Sequence, residues 1–433
     1  MPAATWRNWS GNQRARPTRV VEARDAGEVA SAVQAAAREG LRVKAVGSGH
    51  SFTGIGVPDG VAIRPPSTPS VTLDGSLATV PAGLTLRALN ALLWEHGRAL
   101  PNLGDIDAQT ISGAISTGTH GTGAGYRGIA AQVRGLEMVL ADGSLLRCTP
   151  DENPEVLYAA RVGLGALGVL TAVTLQTVPA FRLHAVERAL PLAEVLDGLD
   201  GLAAANDHVE FYWFPHTELA VLKRNNRTDL DAPRRGRAAE WVGDELLGNA
   251  GFAAACGLGA RVPALVPRLN RLMAGRMAAP EYVDRSYRVF CSPRRVRFLE
   301  MEYAVPRAAL GEAFAGLRAA AVRHGGDVTV PVEVRVTAAD DIPLSTAAGR
   351  DTAYLAVHVA RGRPHEAYFG AVESVMAALA GRPHWGKLHS RTAKQLRTLY
   401  PGFDAFVALR DRLDPEGRFR NAYLDRVLGV PGL

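Results

Sequence analysis

Two short loops concentrate the residue types from which a ligand site can be built. VGSGHSFTG, residues 46–54, and STGTHGTG, residues 116–123, each mix three glycines with hydroxyl residues and one histidine. Glycine lets a backbone approach a ligand closely, and successive N–H groups in such a turn form a concave holder for a pyrophosphate. The second loop is not a Walker motif, because it lacks the Gly-Lys-Ser/Thr ending, and it lacks the spacing and following helix of the dinucleotide fingerprint. Taken singly, either loop could be a bare turn. Two of them so close in the chain favour an extended diphosphate-containing cofactor, which needs backbone donors from more than one loop. His50 could be a metal ligand, a base, a cofactor anchor or a turn filler. Neither His50 nor His120 has a partner at helical or hairpin spacing, so no metal site is expected.

A second group of candidates lies in strand-like segments. In VTVPVEVRV the residues Val328, Val330, Val332, Val334 and Val336 share one face, leaving Glu333 and Arg335 on the other. In YLAVHVA, Leu355, Val357 and Val359 oppose Tyr354, Ala356, His358 and Ala360. The polar face either meets water or lines a pocket in which a guanidinium orients a carboxylate beside an imidazole. GRPHWGKLHS adds His384, Trp385, Lys387 and His389, as surface decoration or as a further part of that pocket.

The elements that must position these residues form two blocks. Over TRVVEARDAGEVASAVQAAAREGLRVKAV the pattern is strand, helix, strand, with Asp25 and Glu28 as a capping box and Gly40 as the stop. SLATVPAG reads as a strand, TLRALNALLWEHG as a helix, and VRGLEMVLADGSLLRCT as a hairpin around Asp142-Gly143. This α+β unit closes at GLGALGVLTAVTLQTVP, near residue 180. Beyond it, HVEFYWFP, FLEMEYAVP, DVTVPVEVRVT and AYLAVHVAR alternate with period two between Ala- and Arg-rich helical stretches, predicting a second domain over 181–395 with an antiparallel sheet flanked by helices. A C-terminal segment, 396–433, contains a helix and a turn at Asp414-Pro415-Glu416-Gly417.

Composition bounds the reading. A chain of 433 residues suggests two domains with room for a large cofactor. Its formal charge of +6 is spread without an aromatic-interleaved basic stripe, so no nucleic-acid partner is expected. Cys148, Cys256 and Cys291 signal neither a disulfide framework nor zinc, and no segment reads as a signal peptide or membrane span; a cytoplasmic location is expected.

The order of the motifs then becomes informative. GSGHS, SGAISTGTHGTG, GLGALGVLTAVTLQ, VEVRV, GRPHWGK and LDPEGRFRN together resemble the FAD-linked aldonolactone oxidoreductases and related alditol oxidases of the vanillyl-alcohol-oxidase-like flavoproteins. The resemblance spans almost the whole chain. It implies an N-terminal FAD-binding domain over 1–180, a substrate domain over 181–395, and a segment 396–433 that returns to the first. It implies FAD bonded covalently to His50, with Gly47, Ser48, Gly49, Ser51, Ala114, Thr117, Gly118, Thr119, His120, Gly121, Gly123 and Gly168 around it. It also implies oxidation of a hydroxyl of a gulono-1,4-lactone-like aldonolactone by hydride transfer to flavin N5, with oxygen or another acceptor taking the electrons. Glu333 and Arg335 would grip hydroxyls, His358 would take the hydroxyl proton, and Lys387, with Arg335, would face the charge developing on the reduced ring. Ala114 and Ala360 stand where alditol oxidases carry hydroxyl residues, which favours a cyclic lactone over a linear polyol. An alditol or sugar oxidase is the alternative enzyme, and an FAD-keeping binding module the alternative class.

Overall fold

The computed structural model describes residues 5–230, 251–276, 281–292, 295–326 and 328–430. The chain begins with a hairpin of β1 (Trp6–Arg7) and β2 (Arg14–Ala15). Next, β3 (Arg19–Glu22), β4 (Val43–Ala45) and β5 (Val61–Arg64) form a parallel sheet in the order β3-β5-β4. A parallel pair needs a crossover, which the helix Ala26–Arg38 supplies. It buries Val29, Ala32, Val33 and Ala36, and the Asp25 carboxylate accepts the Glu28 N–H at its start. The Glu28 carboxylate accepts from the Arg24 N–H rather than that of Asp25, so the expected capping box closes one residue early. Gly40, with φ of +66°, turns the chain out of the helix as expected.

A five-stranded antiparallel sheet completes the first unit. It comprises β6 (Thr72–Asp74), β7 (Leu77–Pro81), β9 (Val133–Val139), β10 (Leu145–Cys148) and β11 (Val169–Gln176), in the order β10-β9-β11-β7-β6. The short β8 (Arg98–Ala99) pairs with β12 (Val178–Pro179). Leu396, Tyr400, Phe403, Phe406, Tyr423 and Leu424 from the end of the chain join the core of this sheet. Phe419 fills the smaller core by the parallel strands, and the Arg418 carbonyl accepts the Val43 N–H at 2.8 Å.

The second sheet has eight strands, all antiparallel: β13 (Arg182–Pro191), β14 (His208–Trp213), β15 (Leu219–Thr228), β16 (Tyr282–Arg285), β17 (Phe298–Pro306), β18 (Val332–Thr337), β19 (Thr352–Ala360) and β20 (Arg382–Pro383). Their order is β16-β13-β15-β14-β18-β19-β17-β20. Helices Leu192–Ala205, Leu310–His324 and Glu366–Ala378 cover one face, where Phe211, Val334, Leu355 and Val357 meet Leu199, Phe314 and Val372. The strand holding Glu333 is shorter than the valine alternation predicts. Val328 and Val330 are buried but precede β18, because Pro331 has no N–H for the ladder.

The polar face is not open to water. Glu210, Glu300, Glu302, Glu333, Arg335, Tyr354 and His358 are all buried. The first unit packs onto that face: the Gly123 N–H donates to the Val336 carbonyl at 2.8 Å, and the Thr122 hydroxyl donates to the Val209 carbonyl.

Candidate active site

His50 is fixed between the two units. The loop that carries it is stitched to the 384–388 turn: the Phe52 N–H donates to the Gly386 carbonyl at 2.7 Å, and the Thr53 hydroxyl donates to the Trp385 carbonyl at 2.9 Å. Trp385, fully buried, stacks on Tyr400 and donates its indole N–H to the Leu344 carbonyl. The tryptophan of GRPHWGKLHS is therefore core, and it holds Lys387 beside the His50 loop. Trp9 stacks on the imidazole of His50 at 5.6 Å. Burial, and then the positive charge of Lys387, push the His50 pKa down to about 4, so the ring is neutral at ordinary pH.

Lys387 belongs to a group on the polar face of the second sheet. Its ammonium pairs with Glu300 and lies 5.3 Å from the centre of the Phe52 ring. Burial opposes its charge, but Glu300 and Glu302 outweigh burial and hold the pKa above the ordinary lysine value. His358, cross-strand partner of Glu300, places Nε2 3.5 Å from that carboxylate, while its Nδ1 lies 2.9 Å from the Pro331 carbonyl. A carbonyl only accepts, so Nδ1 carries a proton and Nε2 is the position able to take one up. Burial raises the Glu300 pKa, but its neighbours, Lys387 first among them, lower it further and leave the carboxylate ionised.

Glu333 and Arg335 form a second group on the same face. The Arg335 guanidinium pairs with Glu333, donates from Nε to Glu210 at 2.8 Å, and lies 3.7 Å from Asp105. The Tyr212 hydroxyl donates to Glu333 at 3.0 Å. Burial works against the Arg335 charge, yet Glu333 and Glu210 raise its pKa well above the ordinary value. Across the sheet, Tyr212, Glu333, Ala356 and Glu302 occupy one row. Two strand spacings put Glu333 about 10 Å from Glu302. The small Ala356 lies between them, and Arg335 therefore stands apart from Lys387 rather than beside it.

A cleft of about 850 Å³, counting its open mouth, has His50 in its wall. Of the residues expected around the cofactor, Gly47, Ser48, Gly49, His50, Ser51, Thr117 and Gly168 line it. Ala114, Gly118, Thr119, His120, Gly121 and Gly123 do not. On the helix Ile111–Ser116 the cleft side is Ser112, Gly113 and Ser116, whereas Ala114 turns into the core. The N–H groups of Gly118, Thr119 and Gly123 are bonded to backbone carbonyls. His120 points into the second sheet, stacking on Tyr354 at 3.5 Å and placing Nε2 2.7 Å from Glu302. Ala114 is thus a core residue, whereas Ala360 follows His358 by two positions on the same face of β19 and lies at an arginine-lined cavity.

The cleft fits a long, phosphate-bearing ligand. Any side chain at Gly47 would meet the Thr110 hydroxyl at 2.3 Å, so the bare backbone there preserves the passage. Lys44, unremarked in the sequence, is buried on the cleft wall, and its ammonium donates to the carbonyls of Gly165 at 3.2 Å and Phe419 at 3.3 Å. An ammonium has three donors, which leaves one for a ligand.

Burial pushes the Lys44 pKa from 10.5 down to about 7. The folded chain thus carries a penalty that is full below pH 7 and fades as pH rises to 10.5. A shift of this size is worth roughly 5 kcal/mol. Lys44→Met is accordingly expected to raise the melting temperature of the cofactor-free protein at pH 6, by a margin that shrinks toward pH 10. The same variant should bind FAD at least tenfold more weakly, read by fluorescence quenching.

This arrangement is that of a two-domain FAD-dependent oxidoreductase, and the comparisons agree. The FAD binding domain family matches residues 17–149, and the D-arabinono-1,4-lactone oxidase family matches residues 173–427. The chain belongs to the D-arabinono-1,4-lactone oxidase family. It is 44% identical over 428 residues to the L-gulono-1,4-lactone dehydrogenase of Mycobacterium tuberculosis, covering 98% of this chain and 99% of that protein. It is 35% identical to the L-gulonolactone oxidase of Mus musculus, over 98% of each chain. With the alditol oxidase of a Streptomyces species it shares 34% identity over 97% of this chain and 98% of the other. Cholesterol oxidase of Brevibacterium sterolicum has the same fold, with a TM-score of 0.83 at 19% identity over 98% of this chain and 96% of that one. Among the described residues no helix is long and apolar enough to cross a membrane, and no group of three or more His, Cys, Asp or Glu could hold a metal ion. Cys148, Cys256 and Cys291 are free thiols.

Proposed function

We propose that this flavoenzyme oxidises a hydroxyl of an aldono-1,4-lactone, gulono-1,4-lactone being the type, and passes the electrons to oxygen or another acceptor. The observation that carries the reading is the Lys387–Glu300–His358 group held against the His50 loop by backbone bonds. FAD, when bound, supplies the acceptor for the hydride that leaves the substrate carbon. Gly47, Ser48, Gly49, Ser51, Thr117 and Gly168 hold it in the cleft, and His50 bonds to it covalently. His358 takes the hydroxyl proton at Nε2. Glu333 accepts hydrogen bonds from substrate hydroxyls, with Arg335 and Tyr212 fixing its carboxylate. Lys387 presents a fixed positive charge to the ring end of the cleft. The preference for a lactone rests on the similarity to lactone-oxidising relatives; of the two alanines, Ala114 lies in the core and Ala360 neighbours His358 along its strand. Residues 1–180 form the FAD-binding domain, 181–395 the substrate domain, and 396–433 the returning segment; the location is cytoplasmic.

Anaerobic bleaching of the flavin by a panel of lactones, alditols and aldoses, followed by air, tests the reading. At least one lactone should bleach it. Bleaching by linear alditols alone would make the protein an alditol oxidase, and bleaching by nothing would leave an FAD-keeping binding module.

A further inference from the structure

The described surface concentrates positive charge where the N-terminal hairpin meets the edge of the second sheet. Arg295, Arg297, Arg361 and Arg363 line one side of an open cavity of about 980 Å³, and small residues of the helix Gly251–Arg261 line the other. Arg7 and Arg14, cross-strand partners in the hairpin, add to the same cluster: burial, then Arg14, Arg361 and Arg297, lower the pKa of Arg7. Among the described residues no carboxylate pairs with Arg7, Arg14, Arg297 or Arg361. Arg295 and Arg363 have partners of their own; the like charges of Arg7, Arg14, Arg297 and Arg361 repel one another, and a bound anion relieves them.

The place of the cluster matters as much as its charge. Arg297 immediately precedes Phe298, whose ring lies 5.0 Å from His358 and 5.4 Å from Trp9, the residue stacked on His50. Arg361 follows His358 by three positions, and its N–H donates to the Arg297 carbonyl at 3.0 Å. The arginines therefore stand at the outer edge of the elements that carry the chemistry. A neutral lactone gains nothing from them, and neither does oxygen. An anion does.

We infer that this arginine-lined cavity docks the second substrate, a small anionic one-electron acceptor that reoxidises the enzyme. The inference rests on the oxidoreductase reading above. Oxidation of an alcohol to a carbonyl releases two electrons and two protons; each acceptor takes one electron, two acceptors are used per turnover, and the protons leave to water.

The test compares the holoenzyme with an Arg297→Gln/Arg361→Gln double variant, both positions being exposed. Ferricyanide, a trianion, and ferrocenium, a cation, serve as acceptors at saturating lactone. For the parent, kcat/KM with ferricyanide should fall steeply with added salt and that with ferrocenium should not. The double variant should lose about tenfold or more with ferricyanide, little with ferrocenium, and keep the anaerobic bleaching rate. Calorimetry with redox-inert hexacyanocobaltate(III) reads docking without turnover, and binding should be present in the parent and lost in the variant. Equal salt dependence for the two acceptors, or unchanged hexacyanocobaltate binding in the variant, overturns the inference. Failure of every lactone to bleach the flavin overturns the proposed function instead, and the calorimetry still decides the docking site.

Discussion

A His50→Ala variant is expected to release its yellow pigment into the supernatant on acid precipitation, where the parent keeps it in the pellet. The variant should still be yellow after gel filtration under native conditions, because the cleft lined by Gly47, Gly49, Thr117 and Gly168 does not depend on the imidazole. Only a neutral imidazole has the lone pair that a new bond to carbon needs. Here burial and Lys387 lower the pKa from 6.5 to about 4. The neutral form is therefore complete at neutral pH and is lost only as pH falls through about 4. Apoprotein incubated with FAD should form the acid-stable product at a rate without an inflection near pH 6.5. An inflection there would show that the site leaves His50 unperturbed, and equal pigment release from parent and variant would rule out the bond.

Much of this geometry was legible in the chain because it depends on short-range patterns. The strand, helix and strand from Arg19 to Ala45 followed from one apolar face and two stop signals, and Gly143, at φ of +85°, turns the predicted hairpin. The sharing of one sheet face by Glu333, Arg335, Tyr354 and His358 followed from period two alone. What period two could not say was what covers that face. Glu300 and Glu302 sit in FLEMEYAVP as two carboxylates at alternate positions of an apolar strand, a visible signal, yet their roles appear only once β17 pairs with β19. His120 is the converse case. Its glycine-rich surroundings suggested a phosphate loop, but the Gly123 N–H is spent on β18 and the ring reaches Glu302 on β17. Lys44 gave no signal, since a lysine within a short strand ordinarily faces water, and it is the turn at Gly165 together with the returning C-terminal segment that encloses it.

Lys387→Met is expected to slow anaerobic flavin reduction by lactone about 10²- to 10³-fold, the range for removing one positioned charge or donor from an active site. The side chains are similar in length, so the change deletes charge with little change in volume. It also strands Glu300, whose carboxylate is buried and is held ionised chiefly by the ammonium beside it. Breaking a buried pair by removing one partner costs about 3–5 kcal/mol. The single variant should therefore melt lower as well as react slowly, and the two effects need separating. Adding Glu300→Gln removes the stranded charge. If Lys387 acts on the chemistry, the double variant regains most of the melting temperature without regaining the reduction rate. Recovery of both together would mean that Lys387 serves only to satisfy Glu300. The pair is also coupled to His50: with the positive charge gone, one of the two causes of its low pKa disappears, so the fall in the rate of FAD attachment at low pH should set in above about 4 in Lys387→Met.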